Sequence, residues 1–170
     1  MQEIRRIRAS AVDEAALALL WPGIPVFLLS MLSPNPEAPA APLHFNFAAD
    51  VIDRWAQERP EALALWCVNA ATGAEQKLSF RQLATLSCQA ADFLRSSGVR
   101  RGDRVLIMLS RVPQWWIGML GLIRLGAVPV PATLLLTARD VAYRLESARV
   151  SAAITNQDGA AKVEIGRAHV

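Results

Sequence analysis

The chain has 170 residues, 53% of them hydrophobic and 19% charged, which argues against disorder and gives enough length for one domain with a buried core. Its net charge of +3 comes from 18 basic against 15 acidic residues. The basic cluster Arg100, Arg101 and Arg104 surrounds one turn, so it reads as solvated and not as a nucleic-acid or anion site. Cys67 and Cys88 have no CxxC spacing and read as packed thiols in a reducing compartment.

Ala15 to Leu32 is apolar but is broken by Pro22, Gly23 and Pro25, whereas a membrane-spanning helix needs about 20 residues with few breaks. Arg5, Arg6 and Arg8 precede it and Ala38-x-Ala40 follows it, the outline of a secretory signal. Against that reading, Asp13 and Glu14 separate the basic residues from the apolar core. The composition changes at residue 30, so Met31 is the expected native start, with a native extension or a signal segment as alternatives. Ser33 to Pro42 carries four prolines and reads as an extended linker. Residues 1–43 are thus a leader (1–30) and a Pro-rich linker.

Asn46 is placed to cap a helix from Phe47 to Arg59, with Phe47, Val51 and Trp55 on one face and Pro60 ending it. Leu63 to Val68 reads as an apolar strand that pairs as a hairpin with Gln76 to Ser79 across the turn Asn69 to Gly73. Ser79 and Gln82 make a capping-box pattern for a helix to about Ser97, with Leu83, Leu86, Ala90, Phe93 and Leu94 inward and Gly98 closing it.

The central stretch is Arg101 to Pro131. Gly102-Asp103 makes a tight turn, and Val105 to Leu109 is a continuous apolar run, the pattern of a strand covered on both faces. Pro113 suits the first turn of a helix, Trp116, Leu120 and Ile123 form its apolar stripe, and Gly126 sits where a left-handed C-terminal residue belongs. Ala127 to Pro131 is a second strand. Thr137 and Asp140 open another helix, with Val141, Leu145 and Ala148 on a shared face. Ser151 to Thr155 is the last strand and Asn156 to Gly159 a turn. The order β-α-β-α-β from Arg104 predicts an α/β fold with a parallel βαβαβ sheet, flanking helices, and a preceding helix and hairpin. Ile165 to Val170 is similar to one translated frame of a sequencing-library adapter. Residues 165–170 are therefore expected to be a foreign, unstructured tail, with the natural chain continuing past Glu164.

Arg111-Val112-Pro113 followed by Trp115-Trp116, just after Gly102-Asp103-Arg104-Val105, resembles the adenylate-forming (AMP-binding) acyl-CoA synthetases, and within them the medium-chain, butyrate-type branch. Phe45-Asn46-Phe47-Ala48, Asp50-Val51, Trp55 and Ala64-Leu65-Trp66 upstream are similar too, as are Asp140, Tyr143-Arg144-Leu145 and Ser147 downstream. The resemblance covers residues 44 to about 160. It implies that residues 44–164 are the truncated N-terminal part of such a domain.

The parent enzyme implied is an acid–thiol ligase of short- and medium-chain fatty acids that uses ATP, Mg²⁺ and CoA and is cytoplasmic. A carboxylate attacks the α-phosphate of ATP to give an acyl-adenylate and pyrophosphate, and the CoA thiol then displaces AMP. The implied partners are a small-molecule carboxylic acid, ATP, CoA and the remainder of the same chain, with no nucleic acid and no stable membrane span. The alternatives are an aryl-acid or standalone adenylation enzyme, or a non-catalytic α/β packing module.

That chemistry needs a Ser/Thr/Gly-rich loop with a lysine at the phosphates, carboxylates for ribose and metal, and a mobile C-terminal lysine. The sequence holds no such loop, and Lys77 and Lys162 lie outside any such context. No residue is assigned a catalytic, cofactor-binding or metal-binding role, and the 170-residue chain by itself is expected to be inactive and to bind none of the cofactors. Gly118, Gly121 and Gly126 form no GxGxxG, and the first two read as close helix packing. Ser110 has no GxSxG elbow, and His44 and His169 have no metal-ligand partners. Trp115-Trp116 reads as core packing in preference to an acyl-pocket wall. In the resembled branch the turn after the second strand approaches CoA through a polar Gln; here Thr133-Leu134-Leu135-Leu136 has Leu in its place, so no site is carried onto it.

Overall fold

Strand β3 (Arg104–Met108) is the middle of a three-stranded parallel sheet, with β4 (Val128–Pro131) on one side and β5 (Ala152–Thr155) on the other. A computed structural model describes residues 43–168, and from His44 onward they form one compact unit. The expected leader, linker and Met31 start fall outside the described residues, as does His169.

Val105, Leu106, Ile107 and Met108 are each fully buried, which follows from the way side chains alternate across a strand. On one face Val105 packs with Leu94 and Val99 at the end of α2 (Phe80–Ser96) and with Leu122 of α3 (Pro113–Leu125). On the other, Leu106 and Met108 meet Val141 of α4 (Ala138–Ser147) and Val163 of α5 (Gln157–Ala168). The crossovers β3–α3–β4 and β4–α4–β5 therefore take opposite faces, the doubly covered parallel arrangement expected from the element order. Ahead of the sheet, β1 (Leu63–Val68) and β2 (Glu75–Ser79) pair antiparallel, with a register shift between Leu63 and Leu65.

The local signals act as their chemistry predicts. Ser79 Oγ accepts from the Gln82 backbone at 3.3 Å while Gln82 Oε1 accepts from the Ser79 backbone at 2.9 Å, closing the capping box of α2. Thr137 and Asp140 do the same for α4. Pro113 opens α3, and Gly126 ends it in the left-handed region at φ 70°.

Other expectations need correction. The stretch after Asn46 is not one α-helix: Ala48–Asp53 is wound as a π-helix that runs into α1 (Arg54–Glu58). Asn46 Oδ1 caps the N–H groups of Ala48 and Ala49, and Asn46 Nδ2 donates to the Ile123 carbonyl at 2.8 Å. Tied to α3 in this way, the helix buries Ala48 and Ile52 against Leu83 and Leu120 and leaves Phe47 half exposed. In α2 the buried residues are Leu83, Ser87, Ala91 and Leu94, while Phe93 is 71% exposed; the inward face includes Ser87, whose Oγ accepts from Arg124 Nε at 2.8 Å. Cys88, expected to be packed, is exposed on the same helix, and both cysteines are free thiols.

No turn separates Asn156 from Gly159. Asn156 Oδ1 instead accepts from the Gly159 N–H at 3.0 Å, and α5 begins there. Nor is the segment after Glu164 unstructured: α5 continues to Ala168, and buried Gly166 lies against the backbone of α4 at Ala138 and Ala142. Without a side chain at residue 166 the two helices approach closely enough to carry the helix on.

Candidate functional site: a cleft at the C-terminal end of β3

In open α/β sheets ligands bind outside the carboxyl ends of the strands, where successive crossovers leave by opposite faces. Here that position is the end of β3, between the crossovers through α3 and α4. The chain leaves β3 through Leu109, Ser110 and Arg111, turns tightly with the Val112 N–H on the Ser110 carbonyl at 2.8 Å, and enters α3 at Pro113.

Two adjoining cavities open on this turn. One, of about 500 Å³, is bounded by Leu65, Trp66 and Val68 of β1, by Leu109 to Arg111, and by Trp115 and Trp116. The other, of about 620 Å³, is bounded by the same turn, by Pro131 at the end of β4, and by Ala132 to Leu134 after it. Leu109, Ser110, Arg111 and Trp115 line both, so they form the ridge of one continuous cleft.

The walls are mainly aromatic and aliphatic. Trp115 and Trp116 meet edge to face with centroids 4.8 Å apart, and Trp116 is 49% exposed. The expectation that this pair is core is therefore corrected: α3 buries Gly118, Leu120, Gly121 and Leu122 against the sheet and α2, which turns its first-turn indoles outward. Across the cleft, Lys77 lies 4.4 Å over the ring of Trp66 and pairs with Glu75 at 2.9 Å, so its charge is engaged on the hairpin surface. Arg111 makes no ion pair among the described residues. The cleft can thus receive an apolar group bearing an anion.

Apart from Ser110, the remaining candidates lie outside it. Ser110 is exposed on the ridge, with no His, Asp or Glu hydrogen-bonded to its hydroxyl among the described residues, so it is not an activated nucleophile. His44 is exposed far along the chain. A Cβ on Gly121 would lie 2.9 Å from Ala90 Cβ, which supports the close-packing reading, and Gly118 has ordinary room against Ile107 and Ile154. Among the described residues no group of three or more His, Cys, Asp or Glu converges in a way that could hold a metal ion. Also among them, no helix is long and apolar enough to cross a membrane. Sequence reasoning missed Arg111 and Ser110 as cleft residues, since their convergence with β1 and the loop after β4 is set by the sheet order.

Residues 52–169 match the AMP-binding enzyme family. The chain belongs to that family. It is 43% identical over 129 residues to human acyl-coenzyme A synthetase ACSM4, mitochondrial, an alignment covering 72% of this chain and 22% of that protein. Human ACSM2B, mitochondrial, is 40% identical over 137 residues, covering 77% and 23%. Among solved structures, the anthranilate CoA ligase AuaEII in complex with anthranoyl-AMP superposes with a TM-score of 0.65 at 26% identity, over 75% of this chain and 23% of that one. The chain thus spans less than a quarter of the length of these relatives. This stretch of the AMP-binding enzyme family corresponds to an N-terminal part of acyl-CoA-synthetase-like proteins, as its motifs implied. The expected cytoplasmic location is overturned: these acyl-CoA synthetases are mitochondrial by name.

Proposed function

We propose that the complete protein is an acyl-CoA ligase for short- and medium-chain fatty acids, in which this chain builds the sheet and one wall of the substrate region. The observation that carries the reading is the 43% identity to human ACSM4 over 129 residues, 72% of this chain. In the reaction, a carboxylate oxygen bonds to the α-phosphorus of ATP and pyrophosphate leaves. The CoA sulfur then bonds to the acyl carbon, AMP leaves with the bonding electrons, and the thiol proton passes to solvent. ATP and CoA are substrates, and Mg²⁺ is the cofactor the chemistry calls for, held by residues outside those described.

This chain's own part is structural and steric. Its apolar cleft excludes water from one side of the site, and Arg111 presents a cation at the strand end. We further propose the domain plan of leader and linker at 1–43 and ligase segment at 44–164, with 165–170 of foreign origin. A mitochondrial location accords with the names of the relatives.

The test is to express the complete protein and follow pyrophosphate release and acyl-CoA formation with butyrate, octanoate and benzoate. Turnover on the fatty acids supports the reading. Preference for benzoate favours an aryl-acid ligase, in line with the likeness to the anthranilate CoA ligase. No turnover with any acid overturns it.

A further inference from the structure

We propose that Lys162 is a positioning residue that fixes the loop from Ala132 to Leu136 as a wall of the cleft. Lys162 lies on α5, and its Nζ donates to the Leu134 carbonyl at 2.6 Å, 28 residues away. The loop has few other polar ties. The Ala132 N–H reaches the Ile107 carbonyl at 2.9 Å, at the sheet edge. Beyond it the Leu136 N–H meets the Thr133 carbonyl only at 3.4 Å, and the Leu135 N–H meets Thr133 Oγ1 at 3.3 Å, both contacts internal to the loop. Among the described residues the ammonium is therefore the shortest contact, the one charged donor, and the one long-range hydrogen bond to the tip of the loop. It acts there together with the packing of Leu134 and Leu136 against Val141.

The position matters because Ala132, Thr133 and Leu134 face Ser110, Arg111 and Trp115 across the cavity of about 620 Å³. Leu135 at the tip is 89% exposed, so apolar burial does not hold that residue. Lys162 forms no ion pair among the described residues, in contrast to Lys77, so its charge is directed to the carbonyl dipole. A charge-assisted hydrogen bond of this kind is stronger than a neutral one, and its loss frees the tip to move as a unit. The inference rests on the ligase reading above for its kinetic consequence, and on the geometry alone for its structural one.

The test uses the complete protein with Lys162→Met, Lys162→Gln and Lys162→Arg. Hydrogen exchange of the peptide spanning residues 132–136 reports the tether without any activity. Faster exchange there in Met and Gln, with the rest of the sheet unchanged and Arg restoring protection, supports it. Kinetically, Met and Gln should raise KM for the acid or for CoA about tenfold with kcat within about twofold, and Arg should recover most of the loss. Unchanged exchange in the loop overturns the tether. Unchanged KM values for both substrates in an active Lys162→Met enzyme overturn the positioning role. An inactive wild-type protein would instead sink the ligase reading, while the exchange result still decides the tether.

Discussion

Arg124 holds Asp53 through both arms of its guanidinium, Nη1 to Oδ2 at 2.7 Å and Nη2 to Oδ1, while its Nε donates to Ser87 Oγ at 2.8 Å. One side chain on α3 thereby joins the end of the π-helix and the middle of α2, 71 and 37 residues away. The hydrogen bonds to Asp53 raise the Arg124 pKa against the opposing effect of burial, and the nearby Asp53 charge adds to them. A group raised in this way contributes stability that is lost only as pH rises through its folded value, far above neutrality, so the Arg124 contribution is constant over ordinary pH.

Truncating either partner is expected to destabilise the fold. Asp53 remains 34% exposed, so the cost falls below that of a fully buried pair, at about 1–3 kcal/mol for Arg124→Met or Asp53→Ala. Urea unfolding of both variants and the double variant gives the coupling energy. Additive single effects would show that the two side chains do not act together.

Helix contact between α2 and α3 depends on Gly121. A Cβ there would meet Ala90 Cβ at 2.9 Å and Ala91 N at 3.1 Å, and backbone cannot move aside as a flexible side chain can. Gly121→Ala is expected to cost about 1–3 kcal/mol from overpacking. Gly118→Ala meets only the ends of Ile107 and Ile154 at 3.5 and 3.6 Å, and gains helix propensity of up to about 1 kcal/mol. Thermal melts of the two variants should move in opposite directions.

Much of this fold was legible because its signals are local. A capping box needs Ser79 and Gln82, or Thr137 and Asp140, three residues apart, and the sequence displays both pairs. Pro113, Gly126 and the run Val105 to Met108 likewise state their roles within a turn or a strand. What stayed hidden is long-range. Nothing near Arg124 announces Asp53 or Ser87, and nothing near Asn46 announces the Ile123 carbonyl that sets which face of its helix is buried. The cleft was hidden for the same reason. Trp115 and Trp116 have a core composition, and only their placement on the first turn of a helix buried further along turns them outward.

The α4 capping box makes a pH prediction. The Asp140 carboxyl is held below the usual carboxylate range, first by its hydrogen bonds with the Thr137 side chain and backbone, then by Arg144 and Arg139. A depressed pKa contributes stability that is full above the unfolded value and fades as pH falls through the folded one. The N-terminus of α4 should therefore loosen only in acid, from about pH 4 downward. Protection of the amides of residues 138–141, taken relative to the intrinsic exchange rate at each pH, should fall across that range in the wild type, whereas Asp140→Asn should show a flatter response. Equal acid sensitivity in both would remove Asp140 as the cause.

The chain taken alone, as residues 31–164, is expected to give no pyrophosphate release with ATP, Mg²⁺, CoA and butyrate or octanoate. It supplies β3, its two parallel neighbours and one wall of a cleft, but its sequence contains no Ser/Thr/Gly-rich phosphate loop. Donors aimed at developing charge are commonly the largest catalytic contribution, and removing a single one costs ~10²–10³ in rate. With the whole set missing, the expected rate is that of the uncatalysed mixture. The same piece has β4 and β5 as sheet edges and leaves Leu63, Trp66, Val68 and Trp116 about half exposed, so self-association should accompany the inactivity. Light scattering during purification measures the second outcome, and a pyrophosphate assay on protein free of host ligase measures the first. Turnover above the no-enzyme control would place catalytic groups within residues 31–164, where neither the motifs nor the geometry of the cleft provides them.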